Sequence, residues 1–275
     1  MSDIIPITKP SSAASPTTKQ ETKYPTEMVD LPSKGYFYPE GHPLSSGQIE
    51  LKMMTAKEED ILTSANLLKK GIVLDKLLEA LIVDKSVNIN EMLLVDKDGI
   101  YISIRRLAYG DNYGPLSITC PRCGKDTKNI NVNLAEIKND EFNFSKYQRG
   151  KNSFDLTLPQ SKRTITYKLL THKDEKEIES EIEGLNKINK QSSSELTTRL
   201  KKIITSVDGV TDVATIRKFV DMELRAGDSL ALRKAMKETS PNVDMTFNFT
   251  CGNSECNHEE RTVVPLTTEF FWPKA

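Results

Sequence analysis

The four cysteines of this 275-residue chain are the residues whose type and spacing most clearly predict chemistry. They form two pairs, Cys120-Pro-Arg-Cys123-Gly and Cys251-Gly-Asn-Ser-Glu-Cys256. Two thiolates separated by two residues can bind one ion from a tight turn, and four intervening residues lie at the edge of the usual zinc spacing. Gly124 suits the left-handed backbone conformation that such a turn often needs. We therefore predict that Cys120, Cys123, Cys251 and Cys256 together bind one structural Zn²⁺ ion.

Four thiolates around a tetrahedral ion leave no open coordination position, so the predicted site is structural rather than catalytic. Each cysteine pair is followed by a predicted strand, Asn129–Leu134 or Arg261–Leu266, and strand, knuckle, strand is the outline of a zinc ribbon. The start of the chain has no secretion-signal pattern, and in a reducing cytoplasm paired cysteines favour metal over disulfides. The alternatives are free structural cysteines, a redox pair, or His258 as a replacement ligand.

Composition narrows the remaining function classes. The longest apolar stretches, Leu77–Val83 and Met92–Val95, are far too short to span a bilayer. The formal net charge of −1 provides no global basic field that would recruit nucleic acid or anionic lipid. Because the sequence contains local clusters of basic residues, the alternative function is a zinc-ribbon regulator that binds nucleic acid. Those residues are Arg105, Arg106, Arg122, Lys125, Lys128, Lys201, Lys202, Arg217 and Lys218.

No catalytic motif is recognisable in the sequence. His42 lies in a Gly/Pro turn, His172 lies at the start of a predicted helix, and neither has a nucleophile or carboxylate partner in a known pattern. The chain contains no phosphate-binding glycine loop, nucleophile elbow or His-Glu-x-x-His motif. We therefore expect a protein that is not an enzyme.

Local patterns predict the elements that must position the cysteines. Thr55 and Glu58 form a capping box that starts a helix after the predicted strand Ile49–Met54. The turn formers and aromatic residues of Leu31–Pro39 indicate an extended arm packed on a surface. In the first half we also expect a helix from about Leu74 to Val83, a helical turn at Asn88–Val95, a helix from Asp98 to about Ala108 and a strand at Ser117–Cys120. In the second half we expect a charged helical stretch, Lys173–Lys202, that is interrupted at Ser192–Ser194.

The second half of the chain repeats the plan of the first. Ile165–Glu175 aligns without a gap with Ile49–Glu59, a strand ending in a threonine cap with an acid three residues on. Three further matches occur in the same order: Leu158–Lys162 with Leu31–Lys34, Leu230–Lys234 with Ile102–Arg106, and Asn248–Cys251 with Ser117–Cys120. We predict an internal duplication in which each copy donates one cysteine pair.

These observations predict an α+β fold that is predominantly helical. Two duplicated strand–helices–knuckle units, residues 25–140 and 141–275, are joined by a shared four-cysteine zinc ribbon. Residues 1–24 are rich in Pro, Ser, Thr and Lys and predict a disordered N-terminal tail.

The order of the motifs is similar to that of a known family. The motifs are Leu31–Pro39 (Leu-Pro-Ser-Lys-Gly-x-x-Tyr-Pro), the junction Ile49–Glu59, the helix end Ile102–Gly110 (Ile-x-Ile-Arg-x-Leu-x-Tyr-Gly), the knuckle Thr119–Gly124 and the terminus Phe270–Pro273. In that order, over about residues 28–275, the chain resembles the baseplate hub proteins of T4-like contractile-tailed bacteriophages.

The resemblance implies a non-enzymatic assembly factor or minor subunit of the baseplate hub, with other hub proteins as its partners. Its location would be the host cytoplasm during assembly or the tail baseplate of the virion. Aromatic anchors often dominate protein interfaces, and two aromatic segments are candidates to dock partners. Alternatively, they pack on the protein's own core. These candidates are Tyr36, Phe37, Tyr38, Phe270, Phe271 and Trp272.

Overall fold

A computed structural model describes residues 24–188, 194–264, 266 and 268–271. The predicted disordered tail, apart from Tyr24, and the candidate docking residue Trp272 lie outside the described residues. The described chain mixes helices with small antiparallel sheets, in agreement with the predicted α+β class.

Within the described residues the strands form four separate sheets: β1 pairs with β2, β3 with β4, β6 with both β5 and β7, and β8 with β9. The strands are β1 (Thr26–Asp30), β2 (Gln48–Lys52), β3 (Asn112–Thr119), β4 (Asp126–Asn133), β5 (Phe154–Thr157), β6 (Thr164–Tyr167), β7 (Ile204–Val207), β8 (Thr246–Thr250) and β9 (Glu259–Val263). Every pairing between these strands is antiparallel.

The helices lie between the hairpins in sequence. They are α1 (Ala56–Thr63), α2 (Ala65–Lys69), α3 (Val73–Leu81), α4 (Leu94–Tyr109), α5 (His172–Ile188), α6 (Glu195–Ile203), α7 (Val213–Lys218), α8 (Ala226–Thr239) and α9 (Thr268–Phe271). The predicted helix near Leu74–Val83 is confirmed as α3, and the charged stretch Lys173–Lys202 contains α5 and α6. Ser192 and Ser193 of the interruption predicted there lie outside the described residues. The helix predicted from Asp98 begins four residues earlier, and the turn at Asn88–Val95 reduces to a 3-10 turn at Ile89–Glu91.

One continuous hydrophobic cluster contains buried residues from both predicted halves of the chain, including Leu51, Ile100, Ile165 and Leu232. Backbone hydrogen bonds also join the halves. The Leu94 amide donates to the Leu170 carbonyl oxygen at 3.1 Å, and the His172 amide donates to the Met92 carbonyl oxygen at 2.8 Å. The two halves therefore share a core that supports both cysteine hairpins.

The two strand–helix junctions have the same side-chain contacts. At the first, Lys52 Nζ lies 2.6 Å from Glu58, whose carboxylate accepts from the Thr55 amide and hydroxyl. The capping box predicted there is confirmed. At the second junction, Lys168 Nζ lies 2.7 Å from Asp174, whose carboxylate accepts from the Thr171 amide and hydroxyl. Each acid holds the end of a strand against the first turn of a helix.

The prediction of an extended arm at Leu31–Pro39 is wrong, because this segment folds into consecutive tight turns. The Lys34 amide donates to the Leu31 carbonyl oxygen at 2.9 Å, and Lys34 has a left-handed φ of 48°. Gly35 (φ 67°) packs so closely on the backbone that an added Cβ would lie 2.6 Å from the Gly47 nitrogen. Turn formation lets this segment bury its aromatic side chains instead of laying them on a surface.

A buried aspartate anchors each of the two Leu-Pro turns. Asp96, the third residue of α4, accepts hydrogen bonds from the Ser33 amide (2.8 Å), the Ser33 hydroxyl (2.7 Å) and the Tyr38 hydroxyl (2.7 Å). Asp228, the third residue of α8, accepts from the Gln160 and Ser161 amides at 2.7 and 3.0 Å. Both aspartates have essentially no exposed surface.

Candidate metal centre

Two hairpins present the cysteines at their tips. Cys120 and Cys123 lie in the connection between β3 and β4, and Cys251 and Cys256 lie between β8 and β9. The hairpins close in the same way: the Cys120 amide donates to the Lys125 carbonyl oxygen at 2.9 Å, and the Cys251 amide donates to the His258 carbonyl oxygen at 2.8 Å. Strands lie on either side of each cysteine pair, as predicted. The strand predicted at Arg261–Leu266 begins two residues earlier and ends at Val263, and Pro265 of that range lies outside the described residues.

The residue after the second cysteine of each pair adopts a left-handed conformation. Gly124 has a φ of 70°, as its position after Cys123 predicts, and Asn257 after Cys256 has a φ of 44°. The Gly124 amide donates to the Cys120 carbonyl oxygen at 2.9 Å, which makes the tight turn of the shorter knuckle. Glycine and asparagine are the residues that tolerate this conformation best.

The four sulfur atoms lie close enough to share one metal ion. All four Sγ atoms are within 4.8 Å of one another. Cys120 Sγ is 3.9 Å from Cys256 Sγ, and Cys123 Sγ is 3.7 Å from Cys251 Sγ. A tetrahedral Zn²⁺ with bonds of about 2.3 Å to sulfur requires sulfur atoms about 3.8 Å apart. The shortest cross-hairpin distances therefore match the spacing of a tetrahedral four-thiolate site.

A small apolar cluster supports this arrangement. Cys120, Cys251 and Phe249 are buried together, whereas Cys123 and Cys256 are half-buried. The Gly252 amide in the second hairpin donates to Thr127 Oγ1 in the first at 2.9 Å, a direct contact between the two hairpins. The packing around the sulfur atoms restricts solvent access, which favours a structural metal site.

A backbone hydrogen bond and burial shift the pKa values of two of the thiols in opposite directions. The Lys125 amide donates a hydrogen bond to the Cys123 sulfur and lowers the pKa of that thiol to about 6. Desolvation raises the pKa of the Cys256 thiol to about 11. A divalent cation would displace the remaining thiol protons, so its binding is expected to weaken as the pH falls. His258 Nε2 lies 3.5 Å from Glu260, and the ligand cluster among the described residues consists of cysteines alone.

A family model described as T4 bacteriophage base plate protein matches residues 25–272. The chain belongs to this family. No curated protein and no solved structure matches the chain. The matched range contains both hairpins and all four cysteines. Membership suggests a structural role in the baseplate of a phage tail and contact with other tail proteins.

None of the described helices of this base plate protein is both long and apolar enough to cross a membrane.

Most of the aromatic residues considered as docking anchors pack in the core of the base plate protein itself. Phe37, Tyr38, Phe270 and Phe271 are at most 4 % exposed, and Tyr36 is half-buried. Phe270 packs edge-on against Tyr113 and Phe271 against Tyr101, which fixes the last described helix to the first half of the chain. Phe37, Tyr38, Phe270 and Phe271 therefore contribute to the core of the described chain.

The basic residues that suggested nucleic-acid binding fall into three groups. Arg105 is buried beneath the rings of Tyr109 and Tyr113. Four others have acidic partners: Arg106 with Asp111, Lys201 with Asp221, Lys202 with Glu177 and Arg217 with Glu181. Arg122, Lys125 and Lys128 are exposed on the first hairpin, and Lys218 is exposed at the end of α7.

A buried charge cluster was not predicted from the sequence. Asp75 of α3 lies 2.7 Å from Lys176 Nζ, 3.0 Å from His172 Nε2 and 3.4 Å from Lys97 Nζ. Lys97 Nζ also lies 2.8 Å from His172 Nδ1. From the sequence, only His172 was noticed, because of its position at the start of a predicted helix. Asp75 and Lys97 lie far from it along the chain, so no sequence pattern connects the three residues.

Proposed function

We propose that the base plate protein binds one structural Zn²⁺ ion through Cys120, Cys123, Cys251 and Cys256. The observation that carries this proposal is the four-sulfur cluster, whose cross-hairpin distances fit a tetrahedral zinc site. The ion would tie two hairpins that are distant in sequence, as in a zinc ribbon. It supplies rigidity rather than chemistry, because four thiolates leave no coordination position for a substrate.

We further propose that the chain arose by duplication of a strand–helices–knuckle unit. Three equivalent features support the proposal: the lysine–acid–threonine junctions, the buried aspartates at the third residue of α4 and α8, and the cysteine hairpins. The aspartates align Ile100 with Leu232, both fully buried. The sequence comparison instead aligned Ile102 with Leu230, which differs by four residues from the alignment that the aspartates give. It also pairs the buried Ile102 with the exposed Leu230.

In the phage, we propose a non-enzymatic role in the baseplate hub, as an assembly factor or a minor hub subunit that acts through protein–protein contacts. The family membership and the order of the hub-like motifs support this role. Assembly would take place in the host cytoplasm, and the completed tail baseplate is the second possible location.

Affinity purification from infected cells tests the role. A tagged full-length chain is expressed during infection, and co-purifying proteins are identified by mass spectrometry. Recovery of other baseplate hub proteins at fixed stoichiometry is expected. Recovery of wedge or tail-tube proteins alone would contradict the hub assignment. Repeating the purification with virions shows whether the chain remains in the particle.

The alternative function, a zinc-ribbon nucleic-acid-binding regulator, predicts a different result. Binding of single- and double-stranded DNA and RNA is measured between 50 and 200 mM salt, the range over which phosphate contacts weaken strongly. The hub assignment predicts weak binding with no sequence preference. Tight binding that falls steeply with salt, and that is lost when Arg122, Lys125 and Lys128 are replaced by Gln, would favour the regulator.

A further inference from the structure

The two cysteine hairpins are built alike but carry opposite charges at their tips, residues 119–128 and 250–261. The first tip contains three basic side chains and one acidic one. The second contains three acidic side chains and one basic one besides His258. The contrast is sharpest beside the second cysteine of each pair, where Arg122 precedes Cys123 and Glu255 precedes Cys256, both fully exposed to solvent.

The charges that define each tip are exposed and have no ion-pair partner among the described residues. They are Arg122, Lys125 and Lys128 on the first tip and Glu255 and Glu259 on the second. The minority charges are already engaged. Asp126 accepts a hydrogen bond from the Thr119 hydroxyl at 2.7 Å, and Arg261 lies 2.5 Å from Asp244. The first tip therefore presents free positive charge, and the second presents free negative charge.

The opposite charges are not used to join the two hairpins within one chain. The side-chain contacts between the tips are those among the sulfur atoms and the hydrogen bond from the Gly252 amide to Thr127 Oγ1. Among the described residues, no ion pair connects the first tip to the second. Because the four sulfur atoms lie within 4.8 Å of one another, the two tips are held side by side, and together they form a surface that is positive on one side and negative on the other.

We propose that the two tips form a two-fold contact between two copies of the chain, in which the basic tip of each copy faces the acidic tip of the other. A two-fold axis that lies in the plane of contact, perpendicular to the line joining the tips, exchanges basic for acidic. Such a contact is isologous, so opposite charges meet twice.

The presence of both signs identifies a second copy as the partner. A nucleic acid, or a uniformly acidic protein segment, would be attracted by the first tip but would meet like charge at Glu255 and Glu259 on the second. A second copy presents both signs at the same separation, because the same cysteine cluster fixes the distance between its tips. Charge complementarity thus favours the chain itself over a partner of one sign.

The contact should be reversible and sensitive to salt. The residues between the cysteines are small or polar apart from the charges: Pro121 on the first tip, and Gly252, Asn253 and Ser254 on the second. Individual ion pairs between exposed side chains are weak and are screened by salt. Small polar contacts of this kind are typical of transient complexes rather than obligate dimers.

Sedimentation velocity of the full-length protein tests the contact. A concentration series of nuclease-treated wild type is compared at 0.1 M and 1 M salt, where the Debye length is about 10 Å and about 3 Å. We expect a monomer–dimer equilibrium whose association constant falls at least roughly tenfold at the higher salt. A wild type that stays monomeric throughout the series would overturn the proposal, and so would association that depends on contaminating nucleic acid.

Two charge-reversal variants test the arrangement. Arg122→Glu/Lys125→Glu makes both tips acidic, and Glu255→Lys/Glu259→Lys makes both tips basic. Each variant alone should be monomeric, because every two-fold contact would then join like charges. An equimolar mixture should form a heterodimer, and a chain that carries all four changes should dimerise like wild type. Recovery in the mixture excludes unfolding as the cause of the loss.

The variant Lys69→Glu/Lys70→Glu makes the same change of net charge at exposed residues outside the tips and should associate like wild type. Dimerisation of either tip variant alone, or a mixture that stays monomeric, would overturn the proposal. Growth of wild type beyond the dimer would overturn the two-fold arrangement in favour of a head-to-tail contact. The zinc and hub proposals do not depend on these results, because their tests measure metal ligands and co-purifying proteins.

Discussion

At the scale of single residues, Asp75 is the carboxylate on which a buried charge cluster depends. Desolvation alone would raise its pKa, but hydrogen bonds from His172 and Lys176 and the charge of Lys97 hold that pKa well below its usual range. Desolvation lowers the pKa of Lys97. Removing the carboxylate would leave the half-buried Lys97 of α4 and the exposed Lys176 of α5 without the counter-charge that they share.

Replacement of Asp75 by Asn is expected to lower the free energy of unfolding at pH 7 by about 3 kcal/mol. The native pKa of Asp75 is depressed, so its contribution is fully present above the unfolded-state pKa of about 3.9 and is lost as the pH falls below it. Urea unfolding from pH 7 to pH 3 should show the two proteins converging in acid. The exposed Asp60→Asn variant should behave like wild type, and a pH-independent difference for Asp75→Asn would contradict this account.

A second prediction concerns Asp96, where burial raises the carboxyl pKa despite three hydrogen-bond donors. Asp96→Ala leaves the Ser33 amide and the Tyr38 hydroxyl without an acceptor and should cost about 3 kcal/mol of unfolding free energy. Asp96→Asn retains a carbonyl oxygen as an acceptor and should cost clearly less. Urea denaturation at pH 7 measures both values, and equal losses would show that the hydrogen bonds are not the cause.

Among single residues, those governed by local rules could be predicted from the sequence. Gly124 was expected in a left-handed turn because of its place after Cys123, and Thr55 was expected to cap a helix because Glu58 follows at the right spacing. Asp75, Lys97 and His172 could not be paired, because their contacts depend on how α3, α4 and α5 pack. Their sequence separations give no pattern to detect.

At the scale of elements, the two strand–helix junctions are the most regular feature. A lysine at the strand end, a threonine three residues on and an acid after three more recur with the same contacts. The acid satisfies the free amide at the helix start and neutralises the lysine. This local logic explains why the junctions were predictable, whereas Leu31–Pro39 was not: its turns depend on Asp96, which lies 63 residues from Ser33.

Loss of either threonine cap should have a similar effect. Thr55→Ala and Thr171→Ala are each expected to reduce the free energy of unfolding by about 1 kcal/mol, because each removes a hydroxyl bonded to the capping acid. Thr63, exposed in the last turn of α1, provides the matched control, and Thr63→Ala should change stability by less than about 0.5 kcal/mol. Thermal and urea unfolding measure all three. A marked difference between Thr55→Ala and Thr171→Ala would argue against equivalent junctions.

At the scale of the whole molecule, the cysteine hairpins and the shared core join the two halves. Cys123 and Cys251 are separated by most of the second half of the chain, so a metal ion shared by the four cysteines would close a long loop. In the chain-entropy model, a cross-link closing a loop of about 100 residues contributes roughly 4–5 kcal/mol. The proximity of the cysteine pairs was predicted from ligand spacing alone, whereas the sequence left two interpretations of the aromatic segments open, partner docking and core packing.

Removal of the metal should therefore destabilise the whole chain. Treatment with a strong zinc chelator is expected to lower the free energy of unfolding by about 4 kcal/mol, and re-addition of Zn²⁺, but not Mg²⁺, should restore it. The Cys120→Ser/Cys251→Ser variant should resemble the chelated protein and show no further response, whereas Ser254→Ala should resemble wild type. A chelator-treated wild type with unchanged stability would show that the ion is not part of the fold.

X-ray absorption at the zinc edge of the purified full-length protein reports the metal and its ligands in one measurement. We expect one zinc per chain with four sulfur neighbours at about 2.3 Å and no nitrogen or oxygen bound to the metal. Absence of zinc, or a first shell that contains fewer than four sulfur atoms, would contradict a site shared by Cys120, Cys123, Cys251 and Cys256.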